Sequence, residues 1–587
     1  MKRAITLLLF SGLLSTYAAA QCAGPTSFSN LDINYTDAFL MHGGDAWWDF
    51  SRARYESPAG TGKSPLFSGA LWVGGLDDQD DLHLAGILYR QTGNDYFPGP
   101  IVEDSVMQQT FCNAWDRHWK VSKADIDFFI NGGTPAEAIM SWPAKGNPEA
   151  PSPITEDLAP FVDVNEDGIY RYTDGDYPLI KGDQAVFWVF NDIGNIHSET
   201  SGSALGFEFH AMAYAYLVDG TDVDYATYYQ YNIINKSSDD YHDLYLGHYL
   251  DIDLGNSTDD YIGVDVDRNM VFGYNGDTID EGLTGYGTNI PMVGLRVNRG
   301  PNDLGMHAAH YFDVSLNGNY SSPSIPIDYY NYMRGLFRDG TIKLDGNGNA
   351  TTYQLDGSNL ASPSMCADGF LPAEYRAMQS YGPLDLATGE MTSINYSVVL
   401  DFDTAFQGLG CPNYTPFGNA ADVVDSRYQF TRCDDFIIDI TADIQDASLD
   451  QAGSIHLVSL GTEGTYSYEW SNGAKTRNID GISGGPYAVT ITNADGCTHT
   501  ESFQVLDGPG GVNDVGAAVL QLYPNPAREQ MVVKGMSGTR SFEVRNLLGE
   551  LVSAGVTHHH IDVAHLASGA YFLLIDGYAP MKFQKMD

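Results

Sequence analysis

The chain has 587 residues, 43% of them apolar, which at roughly 150 residues per domain is a prior of about four domains with real cores. Its 30 Lys and Arg against 76 Asp and Glu give a formal charge of −46, which argues against unaided binding to nucleic acid or an anionic membrane face, because phosphate contact needs basic patches. Sixty-three Gly, 26 Pro and 37 Tyr with only 18% charged residues describe a turn-rich, aromatic all-β protein rather than a helical bundle, with cationic, neutral or metal-bridged partners.

At the N-terminus, Lys2 and Arg3, an apolar run from Ala4 to about Leu14, and Ala18-Ala19-Ala20 form a signal peptide over 1–20 that leaves Gln21 first. Cys22 invites a lipoprotein reading, but Gln21 is not the small residue such a site uses, so a lipid anchor is the lesser alternative. No later stretch approaches the ~20 consecutive apolar residues of a membrane-spanning helix, so no transmembrane segment is expected. Six cysteines (Cys22, Cys112, Cys366, Cys411, Cys433 and Cys497) suit disulfides in an oxidising compartment, but sequence does not choose among the fifteen pairings.

Residues 21–432 read as a large antiparallel β-sandwich, in one lobe or two. Strand-like runs cover Ala185–Phe190, Phe207–Leu217 and Ile394–Phe402. Runs at 227–234 and 241–250, flanking the polar Asn235–Asp240, predict a hairpin. Short helices are expected at 124–130 and 135–140. Trp47, Trp48, Trp115 and Trp119 are candidates for stacking on sugar rings, with core packing as the competing use.

The best candidate site is Asp163-Val-Asn165-Glu-Asp167-Gly168-Ile169, continuing to Asp174. Oxygen-bearing side chains at loop positions 1, 3, 5 and 12, with Gly at 6, reproduce the calcium-loop spacing of EF-hand and dockerin-type sites. Asp163, Asn165, Asp167 and Asp174 would supply side-chain oxygens, and Ile169 its carbonyl, to a calcium ion. The competing reading is an acidic turn without metal. A second acidic group comprises Asp251, Asp253, Asp259, Asp260, Asp265 and Asp267. Residues i and i+2 of a strand share a face, so these read first as a solvated face, then as a second cation site, and last as a glycosidase-type carboxylate pair. Gly481-Ile-Ser483-Gly484-Gly485 fits G-x-S-x-G but lies between strands, and reads as a turn.

Charge divides the rest of the chain. Residues 21–432 carry −37 and residues 433–507 carry −10, whereas residues 515–587 are neutral. Between the last two, 508–514 is a Gly/Pro linker and a domain boundary. The motifs Tyr466-Ser-Tyr468-Glu-Trp470-Ser-Asn472-Gly473, Pro486-Tyr487-Ala-Val489 and Asn493-Ala-Asp495-Gly496-Cys497 make 433–507 similar to the Ig-like repeats of gliding-motility surface adhesins. A single copy suits a spacer as well as a binding unit.

Tyr523-Pro524-Asn525-Pro526, Phe542-Glu-Val-Arg-Asn546-Leu-Leu-Gly549, His565-Leu566-Ala-Ser-Gly569-Ala-Tyr571 and Lys582-Phe583 follow in order over 515–587. This segment resembles the type A C-terminal sorting domain of type IX secretion, a second small β-sandwich. The resemblance implies recognition by the type IX machinery and release or attachment at the cell surface. Gly43-Gly44-Asp45-Ala-Trp47-Trp48 and Ser68-Gly69-Ala-Leu-Trp72 resemble a large N-terminal region often joined to such domains, which implies architecture and no activity. The expectation is a secreted, calcium-stabilised, adhesin-like protein binding an extracellular glycan or protein. The alternative is a secreted hydrolase of polysaccharide or protein with a carboxylate site in the N-terminal region.

Overall fold

The computed structural model describes residues 22–506 and 520–586, apart from 91–92, 103–107, 356–359, 403–410, 434–435, 437, 449–450, 526, 536–538, 547–550, 558, 576–577 and 579–580. The signal peptide and the 508–514 linker lie outside the described residues. The chain divides into two compact units, one running to Asp446 and resuming over Gly453–Val505, the other taking Ala447–Ala452 and Leu506–Asp587. The fold class is all-β, as the composition predicts.

Two nine-stranded antiparallel sheets dominate the first unit. One centres on Ser68–Leu76, Tyr241–Asp251 and Tyr375–Leu386; the other on Met391–Asp401, Thr227–Asn235, Phe207–Ala215 and Gln184–Asn191. Their central strands are buried along nearly their whole length, which is why they read as continuous aromatic and β-branched runs instead of alternating ones. The sheets share one hydrophobic core. Trp47 donates its indole N–H to the Tyr229 hydroxyl at 2.9 Å, and the His248 and Tyr396 rings meet edge to face at 4.4 Å, each pair joining the two sheets.

The predicted hairpin at 227–250 is not one. Thr227–Asn235 pairs with Phe207–Ala215 and Met391–Asp401, while Tyr241–Asp251 pairs with Ser68–Leu76 and Tyr375–Leu386, in the other sheet. The polar turn therefore carries the chain between sheets. The turn joining Tyr375–Leu386 to Met391–Asp401 makes a second such crossing, and Asn235 ties the two together. Its N–H donates to the Glu390 carbonyl at 3.0 Å, its carbonyl accepts from Gly389 at 2.8 Å, and its side-chain amide donates to the Leu386 carbonyl at 3.1 Å.

Helices occur at Lys123–Ile130 and Glu137–Met140, close to the expected places. A longer one, Thr415–Thr431, was not legible in the sequence. Phe417, Ala420, Ala421, Val424 and Tyr428 face the core at helical spacing, but small alanines and the outward Asp422 and Asp425 mask the stripe. Disulfides join Cys22 to Cys112, Cys366 to Cys411 and Cys433 to Cys497. With Cys22 so paired, its thiol is not free for a lipid anchor.

Residues 441–505 form two three-stranded sheets packed around Trp470, with Gly473 at φ 87° in the Asn-Gly turn. This module docks into the first unit and is not a free spacer. Thr462–Glu463 pairs with Phe161–Val162, Arg477 bonds Asp157 at 2.7 Å, and Lys181 pairs with the buried Asp495. The second unit is a smaller sandwich of a three-stranded and a four-stranded sheet over Met531, Val533, Val544, Ile561, Leu573 and Phe583. Arg540–Asn546 and Leu551–Thr557 pair in it as a hairpin, whose Leu-Leu-Gly-Glu connection lies outside the described residues.

Candidate functional site

The 163–174 loop is a tight turn closed by its own hydrogen bonds. Asp163 is 4% exposed, and its carboxylate accepts from the Gly168 N–H at 2.6 Å, the Asp167 N–H at 3.3 Å and the Ser459 hydroxyl at 3.0 Å. The Asn165 side-chain oxygen accepts from Asp167 N–H at 3.2 Å, and Asp167 accepts from Ile169 N–H at 2.9 Å. Gly168 is required twice over, since it sits at φ 74° and a Cβ there would lie 2.3 Å from the Val458 carbonyl oxygen.

The loop brings Asp163, Asn165 and Asp167 together but turns Asp174 outward, where its nearest charged partner is Arg171 at 3.8 Å. Arg171 also bonds Asp167 at 2.5 Å. The residue that closes the loop is Asp176, which accepts from Val164 N–H at 2.9 Å and Arg171 N–H at 2.8 Å. Burial, and then the Asp163 and Asp167 charges, push its pKa up. The motif spacing ends at position 12, so nothing in it pointed to Asp176. Among the described residues no three His, Cys, Asp or Glu side chains already converge as a metal-holding group.

The second acidic group is not a solvated face. Asp251, Asp260 and Asp265 are at most 2% exposed, and only Asp267 of the six reads as exposed. Asp265 is satisfied by Arg268 at 2.9 Å and by the Tyr414 hydroxyl. The others are less well served. Strand register sets Asp251 opposite both Ser68 and Arg376. The Tyr89 hydroxyl donates to Asp251, and Arg376 lies 3.4 Å from its other oxygen, with its guanidinium 5.1 Å over the Tyr89 ring. Asp260 fixes one oxygen on the Leu254 N–H at 2.9 Å. Asp280 accepts from Asn256 N–H at 3.1 Å and Tyr286 N–H at 2.6 Å.

Burial makes Asp251, Asp253, Asp259 and Asp260 weaker acids than free carboxyls. The Asp251 and Asp260 carboxyls are raised well above the usual range, with Asp253 the next cause at Asp251. Asp253 is pushed to about 7 by burial and then by the Glu374 charge, and Asp259 to about 6 by burial and then by Asp280. A carboxyl poised near neutrality can hold or release a proton, and a coupled pair can share one.

A groove of about 510 Å³ lies between the Asp385–Met391 turn and the docked module, lined by Thr388, Glu390, Tyr466, Glu469 and Lys475 among others. Lys475 bridges it to Glu390. The tryptophans considered for sugar stacking are core residues, since Trp47, Trp48, Trp115 and Trp119 are no more than 1% exposed. Ser483 lies on the turn between Ile479–Ile482 and Gly485–Asn493, with no helix following.

These features define a large all-β chain ending in a separate small sandwich. Residues 521–586 of that sandwich match the family described as secretion system C-terminal sorting domain. This tail supports a type IX secretion substrate, and the protein is secreted or held at the cell surface. Among the described residues no helix is long and apolar enough to cross a membrane. No curated protein matches the chain. Among solved structures, a polysaccharide lyase is 8% identical over 60% of this chain and 40% of its own, with a TM-score of 0.18. Dimeric latent PorU from Porphyromonas gingivalis is 12% identical over 36% of this chain and 26% of its own, with a TM-score of 0.14. The chain thus spans less than half the length of either structure, and likenesses this slight carry no argument about activity.

Proposed function

We propose that the chain is an adhesin-like binding protein, delivered by type IX secretion and stabilised by calcium, that engages an extracellular glycan or protein. The observation carrying this reading is the groove of about 510 Å³, which exists because the 433–505 module is docked against the Asp385–Met391 turn. Its size falls within the range of ligand clefts, and it offers Tyr466 for stacking with Lys475, Glu390 and Thr388 for polar contacts. Calcium at the 163–174 loop belongs to the same proposal, with Asp163, Asn165, Asp167 and the Ile169 carbonyl as ligands and Asp174, or the inward Asp176, completing the set. The test is a screen of the full chain against glycan and extracellular-matrix protein arrays, followed by Tyr466→Ala and Lys475→Glu. Retention of every hit by both variants would remove the groove from the proposal.

A hydrolase remains the second reading, favoured by one observation, the neighbouring carboxyls of buried Asp251 and half-buried Asp253, both raised by burial. Turnover of a polysaccharide or protein substrate that disappears in Asp253→Asn would decide for it.

A further inference from the structure

The turn between the Tyr241–Asp251 and Asp260–Asp265 strands gathers six acidic side chains from three parts of the chain. Asp251, Asp253, Asp259 and Asp260 come from the turn and its flanks, Asp280 from a loop 20 residues on, and Glu374 from the start of the Tyr375–Leu386 strand. Isolated bridging of Asp260 to Ala373 brings the last of these alongside. The cations facing the group are Arg376, shared between Asp251 and Glu374, and Lys63, whose charge acts on Asp280. Two positive groups face six carboxyl groups, so in the absence of a further cation most of the carboxyls lack a cationic partner.

The hydrogen-bond inventory points to the same place. Asp260 is fully buried, one of its oxygens is held by Leu254, and the other, Oδ1, has no partner. Asp253 Oδ1 and the hydroxyl of fully buried Ser68 are also without a hydrogen-bond partner. Buried polar atoms are almost always satisfied, so orphans concentrated at one spot call for a missing ligand. At the 163–174 loop, by comparison, each Asp163 oxygen also accepts from a main-chain N–H.

We infer that this turn is a calcium site, built on Asp253 and Asp260 with Asp251 beside them and separate from the 163–174 loop. The donor set is all oxygen, which favours a hard cation, and it sits on a long turn rather than a rigid octahedral cage, which favours calcium over magnesium. Because no three ligand-type side chains converge among the described residues, main-chain carbonyls and water fill the rest of the shell, as calcium commonly accepts. A bound dication removes the cost of burying unpaired carboxylates and gives the orphan oxygens a partner.

The experiment is calorimetric titration of calcium into the chelator-treated full chain, repeated with terbium, whose luminescence Tyr89 sensitises through its contact with Asp251. Wild type should bind calcium and light up terbium. Asp260→Asn and the less buried Asp253→Asn should each weaken this binding at least tenfold, while Asp127→Asn, at an exposed position of the Lys123–Ile130 helix, leaves it unchanged. Circular dichroism identifies any variant that fails to fold, and Asp253→Asn then carries the test alone. A flat titration in wild type, meaning that protons and not calcium neutralise the cluster, would overturn the inference. So would calcium and terbium binding unchanged in a folded Asp253→Asn.

Discussion

Ser459 donates its hydroxyl to the buried Asp163 carboxylate at 3.0 Å, across 296 positions of sequence. The first residue of the 163–174 loop is thus also a docking residue for the 441–505 module, and the Asp163 N–H adds a bond to the Gly461 carbonyl at 3.0 Å. Calcium at the loop, as proposed, would be linked to seating of the module through this one side chain.

Chelation should lower the melting temperature of the protein. Extracellular calcium modules bind at ~10⁻⁴ to 10⁻³ M, and free calcium at ten to a hundred times that value contributes about 1.4 to 2.7 kcal/mol. Asp167→Ala is the cleaner probe of the 163–174 loop, because Asp163→Ala also removes the bond to Ser459. Differential scanning calorimetry of Asp167→Ala with and without chelator should show a reduced calcium-dependent shift; a full shift would locate the metal elsewhere.

Gly168→Ala should destabilise the first unit by about 1–3 kcal/mol, since it forces a side chain into a left-handed backbone and against the Val458 carbonyl. Urea unfolding followed by Trp fluorescence measures it. A change within 0.5 kcal/mol, on the order of an ordinary surface substitution, would mean that the loop and module part easily.

Acid should destabilise the fold partly through His248. Burial lowers its pKa to about 3, so it stays neutral in the folded chain, whereas the unfolded chain protonates it near 6.5. The unfolded state then binds more protons between those values, and stability falls as pH drops from about 6.5 towards 3, by up to about 1.4 kcal/mol per unit. His248→Phe fits the same edge-to-face contact with Tyr396 and should flatten this limb of the stability–pH curve while leaving stability at pH 8 little changed. An unaltered acid limb would show that His248 does not contribute.

Deleting Tyr523–Asp587 should strand folded protein in the periplasm. The second unit has its own core and its own sheets, so its loss removes no core residue of the first. Fractionation and limited proteolysis should find a compact, protease-resistant fragment inside the cell envelope. Normal appearance of the truncated chain outside the cell would overturn the routing assignment.

The sequence by itself determined the all-β class, the separate C-terminal sandwich with its sorting motifs, and the Asn472-Gly473 turn of the module. Each depends on local pattern, because a strand's period and a turn's backbone demands are written within a few residues. Tertiary structure decided what rests on distant partners. Thr227–Asn235 and Tyr241–Asp251 both read as strands, but burial on both faces makes each the centre of a different sheet, paired on at least one side with a segment more than 100 residues away. The same holds for the three disulfides, for the bonds by which Asp176 closes the 163–174 loop, and for the burial of Asp260. A local count cannot tell a buried, unpartnered carboxylate from one on a solvated face, because that difference is made by the segments folded over it.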